Sequence, residues 1–221
     1  MRTVDHWDRS IATREVRYWA AGIQLSDDEF WILGGFNGQI SRNLNSTEIC
    51  SPTSSCRDFV DLPEITDDNP QVVRVNGSHI FVMPNDQGRA WMFNQDDNTF
   101  HRLPDMMEAR WTAVAGLINE REIVVAGGYL SKTSEILDLD KNEWREGPDL
   151  PVATEIYAPR SVQFEDSFLL LGGYDRGAEG PRNSFLRFDP INYQWEPLPH
   201  KLQIAREVFD AFLIPNDYIK C

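Results

Sequence analysis

The four histidines of this 221-residue chain are the side chains that a metal site would recruit first, and they are spread widely along it. They lack the i, i+2 or i, i+4 spacing that brings ligands together on one element; they are His6, His79, His101 and His200. The chain also contains no Gly-x-Ser-x-Gly nucleophile turn and no glycine-rich phosphate loop. We therefore predict no catalytic residues, no metal and no cofactor, and a protein that is not an enzyme.

Two of the three cysteines, Cys50 and Cys56, flank the turn-rich residues 51–55, and the third is Cys221. Because no Cys-x-x-Cys pair occurs, the sequence argues against a zinc framework or a dithiol redox motif. If residues 51–55 form a hairpin turn, Cys50 and Cys56 face each other and can form a disulfide in an oxidising compartment. Two free thiols fit the sequence equally well.

Acidic residues outnumber basic ones by 35 to 21, which gives a formal net charge of −14. A negative field of this size repels a nucleic-acid backbone, so we expect no nucleic-acid partner. No apolar run approaches the ~18 residues that cross a bilayer, and we expect no membrane insertion. The expected compartment is cytoplasmic if Met1 is the true start, and the protein is secreted if an upstream leader is missing.

Apolar segments that end in the same way recur along the chain. Three runs end in a glycine doublet, and a fourth run of similar length ends in Pro84-Asn85. The doublets are Gly34-Gly35, Gly127-Gly128 and Gly172-Gly173. The second positions of successive runs are 50, 43 and 45 residues apart. A period of this length indicates a repeat architecture.

Each repeat contains four short strand-like segments separated by turn residues. The run before the doublet is apolar throughout, which is typical of a strand buried on both faces, whereas the third and fourth segments alternate. An aromatic residue marks the fourth segment of each unit: Phe59, Phe100, Trp144 and Trp195. Since no segment shows a sustained 3.6-residue period, we predict an all-β fold, a β-propeller of four-stranded antiparallel blades.

These features resemble the kelch repeat, which has a glycine doublet, an aromatic–Asp or similar pair, and a Trp a few residues later. The third and fourth units match it best, with Leu137-Asp138 and Trp144, and with Phe188-Asp189 and Trp195. The first unit has Phe59 in place of Trp, and the second has Phe100 and no doublet. The resemblance implies a kelch-type propeller that extends over nearly the whole chain.

We predict one kelch domain, residues 1–221, with four full blades and a partial fifth. The full units are 14–63, 70–104, 110–150 and 157–199, and the partial unit combines 206–221 with 2–8. Two interpretations of the ends remain open. Either the two ends complete each other and close a ring, or the chain is a fragment of a six-bladed ring, because kelch rings usually have six or seven blades.

In kelch adaptors, loops between strands two and three, together with the segments before strand one, form the face that binds partners. Those positions hold basic and aromatic residues here: Arg14, Arg42, Arg89, Arg110, Tyr129, Lys132, Tyr174, Arg176, Arg182 and Arg206. We assign three of the arginines, Arg14, Arg110 and Arg206, to the same point of their units. Because arginine binds carboxylates through two hydrogen bonds, we predict a non-catalytic protein-interaction module that binds a partner segment, an acidic one, on this face.

The same resemblance supplies the alternatives. Kelch proteins serve as ubiquitin-ligase adaptors, actin-associated proteins or secreted binding domains, and a few are enzymes. An enzyme or sugar-binding protein that uses the central channel is therefore the second hypothesis. Copper oxidases of this architecture need two Tyr, two His and one Cys in one pocket, and the scattered histidines do not favour such a pocket. The basic residues can also be ordinary solvated loop charges, and the tyrosines packing residues.

Overall fold

The computed structural model consists of β-strands joined by turns and loops. It describes residues 12–66, 70–84, 87–129, 131–151, 160–164, 167–175 and 179–206. None of these residues is helical, so within them no helix is long and apolar enough to cross a membrane. The predicted all-β class is confirmed.

The chain divides into two compact units, residues 1–70 and 71–221. The strands of the first unit are β1 Ala21–Ser26, β2 Glu29–Leu33, β3 Phe36–Asn37, β4 Arg42–Asn43, β5 Thr47–Ser51 and β6 Ser54–Asp58. Strands β1, β2, β5 and β6 form one antiparallel sheet in that order, which we call blade 1. Strands β3 and β4 form a short ribbon in the connection between β2 and β5.

The second unit contains three more sheets of the same kind. Its strands are β7 Gln71–Arg74, β8 His79–Met83, β9 Trp91–Asn94, β10 Thr99–Arg102, β11 Val114–Asn119, β12 Glu122–Ala126, β13 Ser134–Asp138, β14 Glu143–Gly147, β15 Arg160–Phe164, β16 Ser167–Leu171, β17 Tyr174–Asp175, β18 Gly180–Pro181, β19 Ser184–Asp189 and β20 Gln194–Lys201. Blade 2 is β7-β8-β9-β10, blade 3 is β11-β12-β13-β14, and blade 4 is β15-β16-β19-β20. A ribbon, β17-β18, connects β16 to β19.

Four antiparallel four-stranded blades place the chain in the β-propeller class, as the four full units predict. The partial fifth unit lies outside the described residues, except for Arg206. In each blade we call the end where strand two connects to strand three the loop end. Because neighbouring strands are antiparallel, strand one begins and strand four finishes at this same end.

Strands three and four of blades 2, 3 and 4 carry an apolar pair at one register position. The paired residues are Phe93 with Phe100, Leu137 with Trp144, and Phe188 with Trp195. The two aromatic pairs have ring centroids 4.9 and 5.1 Å apart. The predicted aromatic positions of these three fourth strands are therefore correct, and each ring lies against the third strand of its own blade.

Blade 1 has a disulfide at the matching position. Cys50 of β5 pairs with Phe30, and Leu137 of β13 pairs with Ile123. Phe30 and Ile123 both lie four places before their glycine doublets, so Cys50 is the equivalent of Leu137. The Cys50 and Cys56 sulfur atoms are bonded at 2.06 Å, and both residues are buried. A covalent link thus connects strands three and four where the other blades use aromatic packing.

The fourth strand of blade 1 differs from its prediction. We expected it around Phe59, but β6 is Ser54–Asp58 and ends before that residue. Phe59 instead packs edge-on against the buried Trp31, with ring centroids 5.7 Å apart. The assignment of Phe59 as the substitute for the repeat tryptophan is wrong, because Cys56 occupies that place in the strand.

Two apolar clusters join the sheets of the second unit. One, between blades 2 and 3, comprises Phe81, Met83, Ala90, Met106, Ala113, Ala115, Ile123, Val125 and Leu137. The other, between blades 3 and 4, comprises Val114, Ile118, Val124, Ala126, Ile136, Leu150, Phe168, Leu170, Leu186, Phe188 and Trp195. The continuously apolar second strands supply both clusters, because each such strand has one face toward either neighbour.

Each repeat tryptophan also forms a hydrogen bond to the preceding blade. Trp144 Nε1 donates to the carbonyl oxygen of Pro104 at 2.8 Å, and Trp195 Nε1 donates to that of Pro148 at 3.1 Å. Both prolines follow the fourth strand of the neighbouring blade. The indole therefore fills the space between adjacent sheets and satisfies its own N–H there.

Blades 3 and 4 share a polar contact at the end opposite the loop end. The Tyr193 hydroxyl donates a hydrogen bond to Glu122, which also accepts bonds from Arg145 at 2.7 Å and Asn119 at 2.8 Å. Burial acts to raise the pKa of Glu122, but the bonds from Tyr193, Arg145 and Asn119 outweigh it and hold that pKa below its ordinary value. The hydrogen bond to Glu122, together with burial, raises the pKa of Tyr193.

Removing the disulfide should destabilise the fold without changing its architecture. The bond closes a loop with a sequence separation of 6, for which the chain-entropy relation gives about 2 kcal/mol of stabilisation. We expect Cys50→Ser/Cys56→Ser to lower the free energy of unfolding in urea by about that amount. A thiol reductant should lower the wild type equally and leave the double variant unchanged; a wild type insensitive to reductant would contradict the prediction.

The Glu122 contact should support stability in acid. Since the folded pKa of Glu122 lies below its ordinary value of 4.5, its contribution is present above that pH and is lost as the pH falls through the folded pKa. Tyr193→Phe should therefore shift the acid limb of a plot of unfolding free energy against pH toward higher pH. Tyr18→Phe, at an exposed tyrosine, is the control, and superimposable acid limbs for Tyr193→Phe and wild type would show that the bond has no such effect.

Candidate binding surface

The glycine doublets lie at the loop end, where the backbone turns out of strand two. Gly35, Gly128 and Gly173 all have positive φ values, which favour glycine. At Gly35 a Cβ atom would also lie 2.7 Å from the carbonyl oxygen of Tyr18, so a side chain would not fit. The doublet thus lets the segment before strand one approach the strand-two loop closely.

A buried ion pair holds that segment in blade 3. Arg110 Nε and Nη2 donate to Glu135 Oε1 at 3.1 and 3.0 Å, and the two side chains are 1% and 2% exposed. Arg110 Nη1 donates to the carbonyl oxygens of Gly127 and Thr133, and Nη2 also donates to Thr133 Oγ1. All five N–H groups of the guanidinium are therefore satisfied.

Blade 1 contains a similar arrangement with Arg17 and Glu48, in which the buried Arg17 Nε has no hydrogen-bond partner among the described residues. Arg17 Nη2 donates to Glu48 Oε1 at 2.7 Å, and Nη1 donates to the carbonyl oxygens of Gly34 and Ser46. The side chains of Arg17 and Glu48 are 3% and 2% exposed. The predicted equivalence of Arg14 and Arg110 is therefore wrong: Arg17 is the counterpart of Arg110.

Each buried carboxylate also accepts backbone hydrogen bonds from the segment before strand one. Glu135 accepts from the amides of Met107 and Glu108, at 2.7 and 3.1 Å. Glu48 accepts from the amides of Arg14 and Glu15, at 2.6 and 3.1 Å. The sequence carries a signal for this network that is not part of the repeat pattern described above. The signal has two parts, Glu-x-Arg before strand one and Ser/Thr-Ser/Thr-Glu at the start of strand three. In blade 1 these are residues 15–17 and 46–48, and in blade 3 they are residues 108–110 and 133–135.

Blade 3 presents two aromatic rings to solvent, one directly after the buried arginine and one directly after the glycine doublet. Trp111 and Tyr129 are 37% and 40% exposed, and their ring centroids lie 5.4 Å apart. The Tyr129 amide donates to the carbonyl oxygen of Trp111, which fixes the two residues side by side. We call Trp111 and Tyr129 the aromatic pair of blade 3.

Blade 1 has an exposed aromatic cluster at the matching positions. Tyr18 and Trp19 are 44% and 43% exposed, and Phe36 follows the doublet as Tyr129 does. Tyr18 and Phe36 have ring centroids 5.2 Å apart and form an isolated backbone bridge. Trp19 has a φ of 57°, a strained value for a bulky residue. In blade 4, Tyr174 stands directly after the doublet and is half-buried.

Several of the predicted binding cations are neutralised within their own unit. Arg14 pairs with Asp58 at 2.5 Å, Lys132 with Asp149 at 3.0 Å and Arg182 with Asp175 at 3.0 Å. Arg110 is buried against Glu135, so its guanidinium does not face solvent.

The remaining predicted cations differ in exposure. Arg42 in β4 is exposed, and Arg89 is half-buried. Arg206 is exposed, and its backbone bonds to Arg182 and Gly173. Arg176 lies outside the described residues.

A cleft lies at the loop end of blade 3. Arg110 lines this cleft, and the next residue in the chain is Trp111 of the aromatic pair. The volume of the cleft is about 240 Å³. The lining residues are Met107, Glu108, Arg110, Thr133, Ser134, Glu135, Glu146, Gly147 and Asp149. Four carboxylates and one guanidinium line this space, which we call the acidic cleft. A shallower cleft of about 560 Å³ lies at the opposite end of the blade, beside Glu122 and Tyr193.

The described histidines lie on three different strands. His79 begins β8, His101 lies in β10 and His200 in β20, while His6 is outside the described residues. Glu48, Cys50 and Cys56 bring potential metal-binding atoms within 4.8 Å of one another. Those atoms are already engaged, because the two cysteines are bonded together and Glu48 binds Arg17.

Comparison with known proteins supports the fold. A solved structure described as "Structure of YjhT" aligns with this chain at a TM-score of 0.71 and 11% sequence identity. The alignment covers 86% of this chain and 71% of that one. No family model and no curated protein matches the sequence. At such low identity the likeness shows the fold alone.

Breaking the buried ion pair should be much more costly than breaking an exposed one. Arg110→Leu leaves the Glu135 carboxylate buried without its counter-ion, which typically costs about 3–5 kcal/mol. Arg121→Leu is the matched control, because Arg121 pairs with Asp140 at 2.6 Å but is 73% exposed. That change should cost less than about 1 kcal/mol. Similar unfolding free energies for the two variants in urea denaturation would contradict the proposed role of Arg110.

Proposed function

We propose that this protein is a kelch-type propeller that acts as a non-catalytic protein-interaction module. It binds a segment of a partner protein at the loop end of its blades. The observation that carries the proposal is the solvent-exposed aromatic pair, Trp111 and Tyr129, on a buried and fully hydrogen-bonded support. Aromatic side chains are enriched in the cores of protein interfaces and among the residues that contribute most to binding.

The support under the aromatic pair favours binding because it fixes the backbone that carries the two rings. Arg110, directly before Trp111, forms hydrogen bonds to Gly127, Thr133 and Glu135. A side chain that is already ordered loses less conformational entropy when a partner binds. The kelch assignment is supported by the doublets and by the tryptophans that bridge neighbouring blades.

The acidic character of the partner segment stays a prediction. It rested on a set of loop cations, and Arg14, Lys132 and Arg182 have carboxylate partners within their own unit. A partner carboxylate would have to compete with these contacts. Arg42 and Arg206 are the members of this set that are exposed and form no ion pair with another described residue.

Selection of peptides from a random phage-displayed library tests the proposal. We expect the wild-type protein to enrich specific peptides, and Trp111→Ala/Tyr129→Ala to bind them at least about tenfold more weakly, since interface aromatics typically contribute more than 1 kcal/mol each. Ile191→Ala is the matched control, because Ile191 is 86% exposed in the turn between β19 and β20, away from the loop end. It should leave the affinity unchanged.

The same protein preparation separates the proposal from the enzyme or sugar-binding alternative. Failure to enrich any peptide, or equal affinity for wild type and the aromatic double variant, would contradict the proposal. Stoichiometric copper or iron in the purified protein, or selective retention on a glycan array, would instead support a role for the central channel.

A further inference from the structure

The acidic cleft of blade 3 has a counterpart in blade 1 that already contains a cation. Strand three pairs with strand four at Glu48–Asp58 in blade 1 and at Glu135–Glu146 in blade 3. Asp58 and Glu146 are therefore equivalent carboxylates on the outermost strands. In blade 1, Arg14 Nη1 forms an ion pair with Asp58 at 2.5 Å.

The residue of blade 3 that corresponds to Arg14 is Met107. The amides of both residues donate to the buried glutamate of their blade, Arg14 to Glu48 and Met107 to Glu135. Methionine carries no charge, so blade 3 does not supply the cation that blade 1 supplies. Glu146 is exposed, and among the described residues it takes part in no ion pair.

The other acidic groups of the cleft have partners. Glu135 is bound to Arg110, Glu108 accepts from Thr133 Oγ1 at 2.8 Å, and Asp149 pairs with Lys132. Glu146 is the carboxylate on which an added cation would act. The cleft, at about 240 Å³, is smaller than the roughly 300–1,000 Å³ of typical small-molecule pockets, so it suits one side chain rather than a whole ligand.

We propose that the acidic cleft binds a basic side chain, an arginine, of the partner segment. The guanidinium would occupy the place beside Glu146 that Arg14 occupies beside Asp58 in blade 1. Neighbouring residues of the segment would lie on Trp111 and Tyr129 at the same end of the sheet, where Trp111 follows Arg110 and Tyr129 follows the glycine doublet. This inference rests on the proposed function and adds the charge of the partner, which is opposite to the acidic segment predicted from the sequence.

Three peptide libraries that differ only in one fixed central residue, Arg, Gln or Glu, test the inference. We expect wild type to bind the Arg library at least tenfold more tightly than the Gln library and the Glu library most weakly. The preference should shrink as salt is added, because exposed charges are screened. Glu146→Gln should abolish the preference for Arg.

Met107→Arg is the sharper variant, because it supplies within blade 3 the cation that Arg14 supplies in blade 1. It should also abolish the tenfold preference for Arg over Gln. Glu143→Gln is the control, since Glu143 is an exposed glutamate at the other end of the same strand, β14. It should retain the preference for Arg.

Two failures are distinguishable. If Trp111→Ala/Tyr129→Ala weakens binding of all libraries, but Arg gives no advantage over Gln or Glu binds best, the arginine proposal is overturned and the binding module stands. If no library binds wild type, both proposals are overturned. Retention of the Arg preference by Glu146→Gln and Met107→Arg would also overturn the assignment of the cleft.

Discussion

The loop end of blades 1 and 3 depends on one interaction, a buried arginine–glutamate pair between the segment before strand one and strand three. Burying two opposite charges is costly, and the cost is offset only if the remaining donors and acceptors are satisfied. Arg110 meets this condition with hydrogen bonds to Gly127, Thr133 and Glu135, while Glu135 accepts two further bonds from backbone amides. The glycine doublet is required for the same contact, because it permits the close approach of the two segments. The exposed aromatic residues are positioned as a consequence of this network.

The repeat and its four-stranded units could be predicted because their determinants are local. Continuous apolar strands, turn residues and glycines with positive φ each act within a few residues of the chain. Blade 1 shows where this reasoning fails. Phe59 is the aromatic residue nearest the expected fourth strand, but the actual strand, Ser54–Asp58, has no aromatic residue and is joined to its neighbour by the Cys50–Cys56 disulfide. In this strand a disulfide takes the place of the aromatic residue, and the sequence alone fits bonded cysteines and free thiols equally well.

The candidate site was harder to predict because its contacts join residues far apart in the chain. Arg14 and Asp58 are 44 positions apart, so the neutralisation of this arginine could not be inferred from local sequence. The alignment of Arg14 with Arg110 relied on residue type, whereas the structural equivalence depends on the partner: Arg17 and Arg110 both bind the glutamate of strand three. The exposed aromatic rings were only half recognised, since Tyr129 was selected and Trp111 was not. Aligning the two Ser/Thr-Ser/Thr-Glu segments, 46–48 and 133–135, gives the correct correspondence between Arg17 and Arg110.

Repetition of one sheet does not repeat its surface chemistry, and single positions decide what each blade can bind. Blade 4 has Leu186 where blade 3 has Glu135. Each of these strand-three residues pairs with the strand-two residue two places before the doublet, Leu186 with Leu170 and Glu135 with Val125. Blade 4 therefore lacks the carboxylate that anchors the arginine in blades 1 and 3. Blades 1 and 3 keep that anchor and differ at the preceding segment, where Arg14 neutralises Asp58 and Met107 leaves Glu146 open. A single guanidinium separates a surface that satisfies its own charge from one that is complementary to a cationic partner.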